Sequence, residues 1–274
     1  VVEAKSADSG FKAGGDAQVP AFLEGQVAHG GRLGVLGEQK AMDVPFNVIG
    51  YTSKLVEDQQ AKTIGEVLKN DAAVQPVQGY GNFSENYRIR GFELAGDDVT
   101  WGGLAGVLPR QVVDASLFER VEVFKGASSF VNGAASSGVG GMVNMEPKHA
   151  DDLTLTRLGV DYTSSTQVGT TLDAGRRFGD NNQFGARVNI LHREGETAVD
   201  NEKKRTTLAA LGLDYRGDKL RSSLDVAAQK KTFHGGTMGI NLSGVDFVPD
   251  VPNNTDNYSQ KWGYSDIESE FGMA

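Results

Sequence analysis

The sequence predicts an α+β domain, in which short helices pack on a mixed four-stranded sheet, followed by antiparallel strands of a transmembrane β-barrel that is incomplete in this chain. Short strand and helix patterns alternate as far as a glycine-rich stretch, Phe118–Lys148. From about Asp151, apolar and polar side chains alternate in segments of roughly ten residues. We therefore expect a mobile arm over residues 1–40, the α+β domain over 41–150 and barrel strands over 151–274.

Local patterns define the elements of the α+β domain. Phe46–Tyr51 is rich in strand-forming residues, and Arg120–Phe124 alternates charged and apolar side chains as a half-buried strand does. Thr63 is a typical helix N-cap, and Glu66 completes a capping box three residues later. In the arm, we expect one short helix near Ala21–Gln26.

The last part of the chain has the alternation of outer-membrane barrel strands. In one such segment Ala186 and Val188 share a face, while Arg187 and Asn189 share the opposite face. A soluble β-sandwich is disfavoured because it needs inward apolar rows on two sheets. The predicted strands are Leu153–Tyr162, Thr170–Phe178, Phe184–Arg193, Thr206–Tyr215, Leu220–Thr232 and Lys261–Phe271.

The connections between these strands also fit a barrel. Short connectors at Gly179–Asn182 and Arg216–Lys219 alternate with longer ones at residues 195–205 and 234–261, as short periplasmic turns alternate with long external loops. A barrel wide enough to enclose another domain has about 22 strands. We therefore expect this chain to be the N-terminal portion of a longer protein.

Composition excludes several functional classes. The formal net charge of −9 and the pI near 5.0 disfavour a nucleic-acid partner. The chain has no cysteine, so neither disulfides nor thiolate metal sites are expected. Its four histidines show no metal-ligand spacing, and Ser136-Ser137 lacks a nucleophile elbow. We therefore expect no enzyme, no catalytic residues and no metal site.

Three motifs occur in a fixed order along the first half of the chain. Their order and spacing resemble the plug domain of the TonB-dependent outer-membrane receptors. They are the opening Asp43–Val48 (DVPFNV), the segment Tyr87–Phe92 (YRIRGF), and the closing series formed by Arg120–Val123 (RVEV), Lys125-Gly126, Gly140-Gly141 and Val143-Asn144.

The resemblance implies a function and partners. A protein of this family would import a ferric siderophore across the outer membrane of a Gram-negative bacterium, with energy supplied through the TonB protein. The resemblance to the ferrichrome-like, hydroxamate-type branch is looser. Iron would arrive as a chelate, so no resident cofactor is implied, and the partners would be the siderophore, TonB and outer-membrane lipid. Haem, cobalamin or an oligosaccharide are alternative ligands, and a non-transporting barrel or adhesin is the alternative of another class.

The resemblance also implies where ligand would bind, namely on plug loops that face outside the cell. Aromatic and polar side chains there suit an amphiphilic chelate, and Arg110 suits an anionic one. In the alternative interpretation Tyr80 and Phe83 only pack against the barrel wall. The implied ligand-binding residues are Gln78, Tyr80, Asn82, Phe83, Gly96, Asp97, Leu108, Pro109 and Arg110.

Two further sets of residues follow from the same resemblance. Val1, Val2, Glu3 and Ala4 resemble the end of a TonB box, which binds TonB by strand addition, although a frayed terminus explains the same residues. Arg90, Glu122 and Lys125 occupy positions that would lock the plug to the barrel. Because Lys125 replaces an arginine of the family pattern, it would not grip a carboxylate through two hydrogen bonds.

Overall fold

The computed structural model describes residues 19–32, 37–45, 47–78, 84–126, 139–163, 165–236, 243–247, 250–251, 253–257 and 266–273. These residues form an N-terminal domain, which ends near residue 150, and a C-terminal sheet, which begins at Leu155.

The N-terminal domain is built from short strands and two short helices. Helix α1 spans Ser53–Asp58 and helix α2 spans Ile64–Leu68. The predicted N-cap is confirmed, because Thr63 Oγ1 accepts a hydrogen bond from the backbone N–H of Glu66 at 3.2 Å. The strands β1 to β11 are Ala21–Phe22, Val27–Ala28, Gly30–Arg32, Glu38–Lys40, Asn47–Thr52, Val74–Gln78, Asn86–Ile89, Phe92–Ala95, Thr100–Trp101, Phe118–Lys125 and Gly141–Pro147.

The predicted α+β class is confirmed, but the main sheet has six strands rather than four. Its order is β1-β2-β5-β10-β11-β9, and only the β11–β9 pair is parallel among these described strands. Strand β10 lies between β5 and β11, so that Val123 is paired with Ile49 on one side and Val143 on the other. Val121, Val123 and Val143 are fully buried in the core of the domain.

The expectation of a mobile arm is wrong for residues 21–32 and 38–40, and Ala21–Gln26 is not helical. Strands β1 and β2 extend the main sheet, and β3 pairs with β4. The turn between β1 and β2 places Leu23 and Glu24 in the left-handed region, at φ of 50° and 56°. Pairing with β5 is a long-range interaction, so the local sequence pattern carries no sign of it.

Two of the three motifs that resemble the plug domain contact each other, namely Tyr87–Phe92 and the closing series. Arg90 and Gly91 form the tight turn of the β7–β8 hairpin, with φ of 50° and 89°. Gly140 packs against this hairpin so closely that an added Cβ would lie 2.0 Å from the carbonyl oxygen of Ile89. The glycine pair therefore allows the closing motif to contact the backbone of the Tyr87–Phe92 motif.

The C-terminal sheet confirms the predicted barrel strands, most of which are longer than predicted. Six consecutive strands pair in antiparallel order, from β12 to β17, within the described residues. None of the described helices is long and apolar enough to span a membrane. The strands are Leu155–Thr163, Gln167–Phe178, Phe184–Glu196, Lys203–Arg216, Arg221–His234 and Asp266–Met273.

The two faces of the C-terminal sheet differ in the predicted way. Leu158 and Val160 on the outer face are 77% and 75% exposed, because no described residue covers them. Arg187 and Asn189 on the inner face are each 5% exposed, because the N-terminal domain packs against them. The inner polar row is therefore an interface between the two parts of the chain.

Candidate functional site

The C-terminal sheet gives the molecule two distinct ends. Short turns at residues 179–183 and 217–220 lie at one end, and the longer connections at 197–202 and 235–265 lie at the other. In an outer-membrane barrel the long connections face outside the cell. Arg193 and Lys231 lie near the long-connection ends of β14 and β16, so the residues around them form the outward part of the interface.

Loops of the N-terminal domain enclose a small pocket close to Lys231. Ser84 forms a β-bridge with Gln111, which joins the loop before β7 to the loop after β9. Gly96 lies against Glu85, since an added Cβ at Gly96 would be 2.3 Å from the Glu85 carbonyl oxygen. The pocket has a cavity volume of only about 10 Å³, roughly the room of one water molecule, and is lined by Ile64, Glu85, Tyr87, Gly96, Val99, Leu108, Pro109, Arg110, Gln111, Val112, Val113 and Met145.

The structure thus brings together four of the predicted ligand-binding residues. Gly96, Pro109 and Arg110 line the pocket, and Leu108 forms part of its buried wall at 5% exposure. Asp97 lies on the short 3-10 turn Gly96–Asp98, where it is exposed and does not line the pocket.

The remaining predicted ligand residues belong to the loop after β6. The backbone of Gln78 pairs with Asn86 at the end of β6. The structure does not describe the side chain of Gln78, and Tyr80, Asn82 and Phe83 lie outside the described residues, as do Val1–Ala4. The roles predicted for these residues stay predictions.

Glu85 is a pocket residue that sequence reasoning missed. Its carboxylate accepts hydrogen bonds from the Gly65 backbone N–H at 3.0 Å and from the Tyr87 hydroxyl at 2.9 Å. Burial raises the pKa of Glu85, since few water molecules can solvate its charged form. Through its hydrogen bond with Gly65, Glu85 connects the pocket to the start of α2. No pattern in the sequence distinguishes Glu85 from a surface glutamate.

Asp114 is the main polar anchor between the N-terminal domain and the inner face of the C-terminal sheet. Its carboxylate caps a 3-10 turn at the Ser116 N–H and lies 3.4 Å from Nη1 of Arg193 and 3.8 Å from Nζ of Lys231. The Asp114 backbone N–H also donates to Gln229 at 2.8 Å. One residue of the domain therefore contacts both β14 and β16.

A second anchor lies nearer the short-turn end. Arg187 on β14 donates to Glu119 of the N-terminal domain at 2.9 Å and to Asp173 on β13 at 2.8 Å. Lys148 of the domain reaches the same Asp173 at 2.8 Å. Glu119 and Lys148 of the domain are thus joined through Arg187 and Asp173 of the sheet in a row of alternating charges, in which each buried charge has a partner.

The lock predicted at Arg90, Glu122 and Lys125 is not formed with the described barrel strands. Lys125 pairs with Asp71 inside the N-terminal domain, at 2.6 Å. Glu122 is fully buried inside the same domain, and Arg90 is exposed on the β7–β8 turn. In the described ion pairs between domain and sheet, the barrel strands supply most of the cations and the domain supplies most of the carboxylates. This is the opposite of the predicted arrangement, in which the domain supplies the cations. Such pairs join residues far apart in the chain, which explains why local motifs did not reveal them.

Comparison with known proteins matches both parts of the chain. A family model described as TonB-dependent Receptor Plug Domain matches residues 40–140. The chain is 59% identical to the ferrichrome receptor FcuA of Yersinia enterocolitica over 265 residues, which are 96% of this chain and 35% of the relative. It is 29% identical to a probable TonB-dependent siderophore receptor, PiuA of Acinetobacter baumannii, over 63% of this chain and 24% of the relative.

Solved structures agree with this result. BauA, the ferric preacinetobactin receptor of Acinetobacter baumannii, superposes with a TM-score of 0.84 at 38% identity, over 91% of this chain and 38% of that chain. The pyoverdine outer membrane receptor FpvA of Pseudomonas aeruginosa PAO1 shares the fold, with a TM-score of 0.68 at 15% identity over 78% of this chain and 31% of that chain.

This chain therefore spans little more than a third of the length of FcuA and of BauA. Its antiparallel strands, with an exposed apolar outer face, fit a location in the outer membrane. The chain belongs to the TonB-dependent receptors, with its N-terminal domain as the plug and its C-terminal sheet as part of the barrel wall.

Proposed function

We propose that this chain is the plug and part of the barrel of a receptor that imports a ferric siderophore and is energised through TonB. The receptor binds and moves its ligand without making or breaking covalent bonds in it. The observation that carries the proposal is the pocket formed by Gly96, Pro109 and Arg110 at the outward end of the plug. The 59% identity to a ferrichrome receptor supports a siderophore as the ligand.

The proposed ligand platform combines this pocket with the loop that carries Tyr80 and Phe83. The Ser84–Gln111 bridge ties that loop to the pocket, so both contact the same bound molecule. An aromatic side chain would pack on the apolar surface of a chelate, and exposed Arg110 would donate to its oxygen atoms. The pocket itself is too small to admit a siderophore, so the chelate would bind on the outward surface around it.

A binding titration tests the ligand platform. In the full-length receptor, replacing Tyr80 and Arg110 together by alanine should weaken ferrichrome binding by about 2–4 kcal/mol, because one aromatic contact and one charge-assisted hydrogen bond are lost. This corresponds to a dissociation constant raised about thirtyfold to a thousandfold. Calorimetry with ferrichrome measures the change, and Arg88→Ala on the exposed side of the plug is the matched control. An affinity within about threefold of wild type would exclude these residues as the platform.

The coupling to TonB has a separate test. If Val1–Ala4 ends a TonB box, Val2→Pro removes a backbone N–H that strand addition needs. Uptake of iron-labelled ferrichrome by cells should then stop, while binding to the receptor stays unchanged. Unaltered uptake would show that TonB binds elsewhere, and it would leave the proposed ligand platform untouched.

A further inference from the structure

Five charged side chains lie where residues 19–32 and 38–40 pack on the main sheet of the plug, on the face opposite the pocket residue Met145. They come from four different strands, β3, β4, β10 and β11. Four of them are almost completely buried, with exposures of 0% for Glu122, 4% for Arg120, 8% for Glu146 and 9% for Glu38. The fifth, Arg32, is partly buried. None of these side chains takes part in the pocket or in the anchors to the barrel wall.

Strand β3 is fastened to the sheet through Arg32. Its backbone N–H donates to Oε2 of Glu122 at 2.9 Å. Its guanidinium donates from Nη1 to the Gly102 carbonyl oxygen at 3.2 Å, and Nε lies 3.6 Å from Oε1 of Glu146. Asn144 joins the two carboxylates, since its Nδ2 donates to Glu122 at 2.9 Å and to Glu146 at 2.7 Å.

The start of the described chain is held by the same group of side chains. The backbone N–H of Val19 donates to Oε2 of Glu38 at 3.3 Å. The carbonyl oxygen of Val19 accepts a hydrogen bond from Nη2 of Arg120 at 2.9 Å. Both backbone groups of this residue are therefore held by charged side chains of β4 and β10.

Two glycines make room for these charges. A Cβ at Gly31 would lie 2.6 Å from the carboxyl carbon of Glu122, and a Cβ at Gly50 would lie 2.8 Å from Cδ of Arg120. The carboxylate and the guanidinium thus pack directly on backbone, where any larger residue would displace them. Gly31 lies inside the segment that the charges hold.

The charges of the cluster do not balance. Glu38, Glu122 and Glu146 supply three carboxyl groups, whereas Arg32 and Arg120 supply two guanidinium groups. Oε1 of Glu122 accepts no hydrogen bond from the described residues, and Nη1 of Arg120 lies 4.0 Å away. Burial, followed by repulsion from neighbouring carboxylates, raises the pKa of Glu122. Burial likewise raises the pKa of Glu38, against the lowering effect of Arg120.

We propose that Glu38 and Glu122 together retain one proton and form, with Glu146, Arg32 and Arg120, a proton-linked clasp that fastens residues 19–32 and 38–40 onto the plug sheet. Loss of the proton leaves one uncompensated negative charge in a buried site, which favours release of the segment. The rest of the plug stays in place, because Asp114 and Glu119 hold it to the barrel wall. The clasp does not depend on which ligand the receptor imports.

The direction of the pH dependence follows from proton linkage. A free glutamate carboxyl group has a pKa of about 4.3. Above that pH, the closed clasp binds one proton more than the open clasp. Closing is therefore most favourable at low pH and weakens as the pH rises. Over the pH range in which the closed clasp keeps its proton and the open clasp has lost it, the equilibrium constant for opening the clasp should rise about tenfold per pH unit.

Hydrogen exchange of the full-length receptor in detergent tests this inference. Peptides covering residues 21–32 should lose protection as the pH is raised, after correction for the intrinsic exchange rate, while peptides of β10 and β11 keep theirs. Glu122→Gln keeps an acceptor for Arg32 and Asn144, and it leaves the cluster with two charges of each sign. In this variant the protection of residues 21–32 should therefore not change with pH. Glu93→Gln, which removes an exposed carboxylate from the same plug, should behave as wild type.

Gly31→Ala gives a second, independent measurement. The added Cβ would displace the Glu122 carboxylate, so the amides of residues 21–32 should exchange quickly at every pH. The exchange rates of the barrel strands should stay unchanged. A wild-type protection that stays constant with pH would overturn the inference without any variant. The clasp is also excluded if Glu122→Gln retains the pH dependence of wild type, or if Gly31→Ala is protected like wild type.

Discussion

Oδ2 of Asp114 in the plug lies 3.4 Å from Nη1 of Arg193 on the inner face of the barrel wall, with Asp114 1% exposed and Arg193 10% exposed. Lys231 on β16 lies 3.8 Å from the same oxygen atom. The pair therefore joins a capped turn of the plug to two separate strands of the wall. Because it is buried, removing one partner leaves charges that water does not solvate.

Replacement of Asp114 by asparagine should loosen the plug. Arg193 and Lys231 would lose a buried counter-charge, and breaking such a pair costs about 3–5 kcal/mol. Faster proteolytic cleavage of the plug in the folded receptor is the measurement. Glu57→Gln is the control, because Glu57 pairs with Arg157 near the short-turn end of β12, where both side chains are about half exposed, and should cost at most about 1 kcal/mol. Equal cleavage rates for the two variants would contradict the role given to Asp114.

Glu85 should make the plug less stable as the pH rises. Its folded-state pKa is raised by burial, so the folded plug binds the proton more tightly than the unfolded chain. Its favourable contribution is complete below the unfolded pKa and is lost as the pH rises towards the folded pKa. Glu85→Gln keeps an acceptor for Gly65 and Tyr87 and should equal wild type at low pH but exceed it at high pH.

The fluorescence of Trp101 can follow this unfolding. Trp101 is 5% exposed, and its indole N–H donates to Asp225 of the barrel wall at 3.2 Å. With every tryptophan outside the plug replaced by phenylalanine, Trp262 among them, the urea midpoint of each receptor reports on the surroundings of Trp101. A difference between wild type and Glu85→Gln that does not change with pH would count against a raised pKa of Glu85.

Gly140→Ala should prevent correct packing of the plug. The added Cβ would lie 2.0 Å from the Ile89 carbonyl oxygen and 3.1 Å from Cβ of Phe92, so the β7–β8 hairpin must move. Overpacking of this kind costs about 1–3 kcal/mol or more. Gly272→Ala is the control, since its added Cβ would lie 3.9 Å from the Ala227 carbonyl oxygen, an ordinary contact distance. Circular dichroism and protease resistance of the refolded receptors should separate the two variants, and similar resistance would refute the contact.

Ile190→Arg should impair folding of the barrel into lipid. Ile190 lies on the outward face at the middle of β14, where an arginine costs about 2–4 kcal/mol. Glu196→Arg, on the same face at the long-connection end of the strand, should cost about 0–1 kcal/mol. Folding yields in lipid vesicles over a urea series measure both costs. Equal costs would show that the two positions lie at the same depth, or that neither faces lipid.

The sequence by itself determined the features that depend on local periodicity. Alternation along β14 assigned Val188 to the outer face and Arg187 to the inner face, because side chains of a strand alternate whatever the strand pairs with. Thr63 and Glu66 likewise identified the start of α2, since a capping box involves only neighbouring residues. Three motifs in order were enough to suggest the plug.

Only the tertiary structure decided which charges meet. Lys125 pairs with Asp71 rather than with the described barrel strands, Glu122 faces Arg32, and Glu85 lines a pocket. Val27–Ala28 forms a strand by pairing with β5, which no local signal predicted. The physical reason is the same in each case. The partners lie far apart along the chain, and a charged side chain becomes buried only where folding brings its counter-charge and its hydrogen-bond donors to one place.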